Sequence, residues 1–142
     1  MSLYLKQFTL PVDLEEQMVI RRMEENGGSF GYIDNYYPCC IFGEKGLYSI
    51  DLSPVTILYG GNGSGKSTLL NLIADRLSLR RLAPHNSGEL FDAYAKNCEV
   101  LMNSDDEGVP YTVPEQSAIF TSDDVFDYML AVRANNIEIG EE

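Results

Sequence analysis

The sequence predicts an α/β fold with parallel core strands and a small antiparallel β-subdomain ahead of a phosphate-binding loop. Three adjoining observations carry that expectation. Residues 60 to 68 read Gly-Gly-Asn-Gly-Ser-Gly-Lys-Ser-Thr, so Gly60, Gly65, Lys66 and Ser67 fill the fixed positions of the Gly-x-x-x-x-Gly-Lys-Ser/Thr loop. Before it, Val55-Thr56-Ile57-Leu58-Tyr59 is a β-branched and aromatic run bounded upstream by Ser53-Pro54, as a buried parallel strand requires. After it, Leu69, Leu70, Leu72, Ile73 and Leu77 recur at helical spacing, with Asn71, Asp75 and Arg76 on other faces.

The loop's chemistry follows from its residue types. Glycines at 60, 61, 63 and 65 allow positive φ and let backbone N–H groups converge into an anion-binding nest. Lys66 supplies a positive charge for β- and γ-phosphate oxygens, and the Ser67 hydroxyl is a ligand for Mg²⁺. The helix that follows adds unpaired N–H groups and its positive dipole end. The nucleotide-binding set is therefore Gly60, Gly61, Asn62, Gly63, Ser64, Gly65, Lys66, Ser67 and Thr68.

The other elements follow in chain order. Leu3, Leu5 and Phe8 suggest an opening strand, and Asp13 with Glu16 three residues on forms a capping-box-like start to a helix through Ile20 and Met23, stopped by Asn26-Gly27-Gly28. Residues 31 to 38 are rich in aromatics and turn formers. Cys40-Ile41-Phe42, a Gly43-Glu44-Lys45-Gly46 turn and residues 47 to 52 then read as a β-hairpin or meander. Downstream, Ser87 caps a short helix carrying Leu90, Phe91 and Tyr94, followed by a Val100-Leu101-Met102 strand, a 103–108 loop and a strand ending at Ala118-Ile119-Phe120. Ser122 caps a last helix with Asp123 and Asp124 at its positive end and an apolar stripe of Val125, Phe126, Met129, Leu130 and Val132. Residues 136 to 142 are read as an acidic tail, frayed over 138–142.

Composition bounds the function. The 142 residues suit a single domain, with 44% hydrophobic and 23% charged residues, no apolar run of about 20 residues for a membrane span and no secretory signal, so a cytoplasmic address is expected. Net charge is −12, the wrong sign for an extended phosphate-neutralising surface, which argues against direct nucleic-acid binding. A phosphate loop escapes this objection because it works through local dipoles, one lysine and a metal ion. Cys39, Cys40 and Cys98 have no metal-ligand spacing or disulfide pattern and are expected to be reduced and partly buried; His85 reads as a loop residue.

The stretch Ile57 to Asn71 resembles the Walker A region of ABC-type ATPases, within the P-loop NTPases. It is especially similar to that of soluble AAA-family ATP-binding proteins grouped with chromosome-segregation and recombination-repair ATPases; Arg21–Gly28 and Ser122–Tyr128 also resemble bacterial members. The resemblance implies ATP, not GTP, as ligand, and an aromatic from the β-subdomain against the adenine, for which Tyr36, Tyr37, Phe42 and Tyr48 are candidates. It also implies a signature motif, a strand ending in Asp-Glu and a switch histidine, none of which is found. The expectation is an incomplete N-terminal lobe that binds ATP, hydrolyses little alone, and associates with itself or with a C-terminal ATPase half.

By position, residues 118–124 resemble the family's Gln-loop segment, where Asp123 or Gln116 contacts the metal ion or a water. Asp123 is thus either a metal ligand beside Ser67 or an ordinary helix N-terminal residue. Two other classes remain open: a compact NTPase or kinase using Asp123 or Asp105 as metal ligand, and an interaction module with nucleotide as a structural ligand.

Overall fold

The computed structural model describes residues 2–26, 35–82, 85 and 87–140, the last four as backbone only. Its elements are β1 (Leu5–Thr9), α1 (Asp13–Asn26), β2 (Ser49–Asp51), α2 (Lys66–Arg76), β3 (Arg80–Arg81), α3 (Glu89–Asn97), β4 (Glu99–Met102), β5 (Ala118–Ile119) and α4 (Ser122–Gly140). The residues 27–34, expected to stop α1 and begin an aromatic turn, lie outside this description, as do Pro84 and Asn86 beside His85.

The antiparallel sheet has the order β2-β1-β4. Phe8 of β1 lies opposite Ile50 on one side and Val100 on the other, and is fully buried, so the central strand drives its aromatic ring into the core. A register irregularity between Leu5 and Gln7 marks the other end of the β1–β4 ladder. The sheet therefore takes one strand from after the glycine loop at 60–68, β4, besides the two before it.

Helices α1 and α2 both pack on α3. Val19 of α1, Leu69 and Leu72 of α2, and Phe91 and Tyr94 of α3 meet Phe8 in one cluster. Leu72, Phe91 and Tyr94 are at most 1% exposed, and truncating a residue so placed costs roughly 2–5 kcal/mol.

Several expectations are corrected. Val55–Tyr59 is not a strand: no described segment pairs with it, and Ile57 is 84% and Tyr59 fully exposed. A parallel strand is stable only with neighbours supplying ladder bonds and cover. The described parallel pairing is confined to β3 and β5, two residues each. The β-hairpin over 40–52 does not form, because Gly43–Lys45 makes a 3-10 turn closed by Gly46 at φ +64°, and β2 pairs with β1 instead.

The helix starts shift as well. At α1 the backbone N–H of Val12 donates to Glu15 Oε2 (3.0 Å), while Asp13 accepts from the Tyr48 hydroxyl and Glu16 from the Cys40 N–H at 2.7 Å. Gly88, not Ser87, occupies the cap of α3, without a side-chain bond. At α4 Thr121 replaces Ser122 as the cap: its N–H and hydroxyl donate to Asp124 Oδ2 at 2.7 and 2.9 Å. The helix continues to Gly140, so the expected fraying over 138–142 is not seen through that residue. Its stripe of Val125, Phe126, Met129, Leu130 and Val132 is exposed throughout, without cover from the described residues.

Candidate functional site

The loop Gly60–Thr68 begins where the unpaired segment ends and closes at Gly65, the residue before α2. Gly63 and Gly65 have φ of +78° and +93°, values that a side chain opposes. A Cβ on Gly65 would lie 3.0 Å from Ile41 Cγ2 and 3.1 Å from Phe42 Cε1. Phe42 is a core residue, so the loop is seated directly on the hydrophobic interior. At Gly60 a Cβ would lie 2.7 Å from Ser64 Oγ and 3.0 Å from Ser64 Cβ, so the two arms of the loop approach closely there.

Lys66 is folded back across this closure. Its Nζ donates to the carbonyls of Gly60 and Gly61, the latter at 2.8 Å, and to Ser64 Oγ at 3.0 Å. Carbonyl dipoles aimed at the ammonium hold the one cation of the loop over its mouth. Asn62 to Thr68 line a shallow cradle of about 200 Å³ there. Beyond the cradle lies a larger groove of about 520 Å³ between α2, β3 and the start of α4, lined among others by Ser67, Asn71, Arg81, His85, Thr121 and Asp123.

The groove brings together Ser67 and Asp123, the two residues read as candidate metal ligands. Gln116 lies in an exposed turn before β5 and does not line it. Asp105 is committed elsewhere: its Oδ1 accepts the N–H groups of Glu107 and Val109, both at 2.9 Å, so it shapes its own acidic turn. No group of three or more His, Cys, Asp or Glu side chains among the described residues is arranged to hold a metal ion.

Arg81 and His85 also line the groove, although the sequence marks neither as a site residue and reads His85 as a loop residue. Asn71 fixes Arg81 by accepting from Nη1 at 2.8 Å, and the Asn71 carbonyl accepts from Nη2 at 3.4 Å. His85 meets Phe91 edge-on, with centroids 5.2 Å apart, and burial, then the nearby Arg81 charge, lowers its pKa. A spacing rule sees neither residue, because Arg81 sits on a two-residue strand too short to show a period and His85 lies outside any helix or strand.

The four aromatic candidates separate. Phe42 is closed into the core, Tyr48 bonds Asp13, and Tyr36 donates to Glu24 at 3.4 Å. Tyr37 bonds the loop–helix junction: its hydroxyl lies 3.0 Å from Thr68 Oγ1, and its ring stacks on Phe91 at 6.0 Å and 14°. All three cysteines are free, with Cys39 and Cys98 buried and Cys40 exposed. Burial, then Glu16, pushes the Cys39 thiol up to about 12; burial does the same for Cys98. No described helix is long and apolar enough to cross a membrane. Comparison of the chain with protein-family models, curated proteins and solved structures finds no match.

Proposed function

We propose that the chain binds ATP with Mg²⁺ through Gly60–Thr68, as the nucleotide-binding lobe of an ABC-type, AAA-family ATPase of the P-loop NTPase class. One observation carries the reading: a glycine loop with positive φ at Gly63 and Gly65 closes at the N-terminus of α2 and opens into a groove that Ser67 and Asp123 share. Backbone N–H groups, the α2 dipole and Lys66 favour a polyphosphate there. Ser67 and Asp123 would hold Mg²⁺, which screens the phosphate charge. Binding in this form requires the Lys66 ammonium to exchange its loop carbonyls for phosphate oxygens, a stronger, charge-assisted pairing.

Hydrolysis by the isolated chain is expected to be negligible. Among the described residues Asp123 is the one carboxylate lining the groove, and a residue that ligates the metal is not free to activate water as well. The uncovered stripe of α4 and the unpaired Val55–Tyr59 segment support association with a second copy or with a C-terminal ATPase half. A cytoplasmic setting and the absence of direct nucleic-acid binding, on the strength of the −12 net charge, belong to the same reading.

Thermal unfolding with and without Mg-ATP and Mg-ADP, with phosphate release followed in the same samples, tests it. A ligand at a hundred times its Kd stabilises by about 2.7 kcal/mol. Stabilisation without phosphate release is expected. Steady release abolished by Asp123→Ala would favour a compact NTPase or kinase instead, and no stabilisation at saturating nucleotide would refute the binding role.

A further inference from the structure

We propose that Tyr37 is a positioning residue for the bound polyphosphate, acting through the hydroxyl of Thr68; this rests on the nucleotide-binding reading above. Thr68 stands two residues after Lys66 in the first turn of α2, lines the cradle, and is 8% exposed. Its Oγ1 has one described side-chain partner, the Tyr37 hydroxyl at 3.0 Å. Phosphate oxygens only accept hydrogen bonds, so a hydroxyl that serves a phosphate must spend its single proton on it. Its oxygen then needs a donor from elsewhere, because a buried acceptor left without one is destabilising.

Tyr37 meets that need. A threonine left to itself in a helix donates to the carbonyl four residues back, which here is Ser64 and would take the proton away from the cradle. A tyrosine donating to Thr68 Oγ1 leaves the threonine proton for the ligand. The tyrosine is itself held: its ring stacks on Phe91, which is 1% exposed, and its backbone N–H donates to Asn35 Oδ1 at 2.9 Å. Since Phe91 also packs against His85, the two walls of the site share one buried ring.

The role assigned to Tyr37 concerns phosphates, not the base, and the two are separable. Tyr37→Phe keeps the ring and its stack on Phe91 while deleting the donor. Mg-ATP and Mg-tripolyphosphate, which has no base, serve as probes. We expect Tyr37→Phe to weaken both by about fivefold, the loss of one neutral hydrogen bond, with the unliganded melting temperature lowered by no more than about 3 °C. Thr68→Val should weaken both at least as much, Thr68→Ser should bind as wild type, and adding Tyr37→Phe to Thr68→Val should cost nothing further.

Wild-type affinity in Tyr37→Phe, effects that multiply in the double variant, or a loss confined to Mg-ATP would each overturn the proposal. Lys66→Ala separates the two levels of failure. If wild type binds and Lys66→Ala does not, an inert Tyr37→Phe refutes the positioning role alone. If wild type binds neither probe, the nucleotide reading fails and this role with it.

Discussion

Three alanine substitutions in the glycine loop at 60–68 should form a graded series whose order comes from backbone geometry and clearance. A Cβ added to Gly61 would meet no heavy atom within 4 Å, and the residue has no left-handed φ, so Gly61→Ala should stay within about 0.5 kcal/mol of wild type. Gly63 is equally open but has φ +78°, so Gly63→Ala carries backbone strain alone, roughly 1–2 kcal/mol. Gly65 combines φ +93° with contacts of 3.0 Å to Ile41 Cγ2 and 3.1 Å to Phe42 Cε1. Phe42 is 2% exposed and cannot swing into solvent without opening the core. Overpacking adds about 1–3 kcal/mol to the strain, so Gly65→Ala should lose roughly 2–5 kcal/mol. At about 3 °C per kcal/mol for a chain of this size, that is a fall of roughly 6–15 °C in Tm. Urea unfolding of the three variants without ligand reads the series directly. Equal stability of Gly63→Ala and Gly65→Ala would refute the seating of the loop on Phe42, and a destabilised Gly61→Ala would refute the clearance argument itself.

Removing either half of the α4 cap, by Thr121→Ala or Asp124→Ala, should cost about 1 kcal/mol in urea unfolding, and the double variant little more than either, because the two side chains serve each other. An aromatic disulfide reagent at pH 8 should modify Cys40 first and reach Cys39 and Cys98 only on unfolding; equal rates for all three would contradict their burial. Because the Cys39 and Cys98 thiols are raised in the folded protein, the unfolded chain releases their protons at lower pH. The stability they protect is intact below about pH 9 and is lost as pH rises toward about 12, which unfolding followed across that range should show. Phe126 and Met129 are 60% and 61% exposed on the α4 stripe, so Phe126→Asp with Met129→Asp should reduce any self-association seen by sedimentation; unchanged association would locate the interface elsewhere.

The parts of the fold legible in sequence are those where local pattern and tertiary packing agree. Leu69 and Leu72 follow the helical period and also face the core, so α2 is found where the pattern puts it; Leu90, Phe91 and Tyr94 do the same for α3. Val55–Tyr59 has the composition of a strand, but ladder partners make a strand, and composition is blind to whether they exist. The 40–46 segment misleads for a related reason: Gly46 at φ +64° closes a 3-10 turn as readily as a hairpin, and competition for the edge of β1 decides between them. At the site, Lys66, Ser67 and the glycines are visible because the roles proposed for them depend on fixed local spacing. Tyr37 bonds Thr68 across 31 positions, and Asn71 holds Arg81 through a two-residue strand, relations that no single-chain spacing records.

Calorimetric titration of Mg-ATP into the wild-type chain and into Lys66→Ala tests the nucleotide-binding role most directly. Saturable binding by wild type, weakened at least tenfold when the ammonium that closes the loop over Gly60, Gly61 and Ser64 is removed, is the predicted result. Equal binding by both proteins, or none by either, would contradict it.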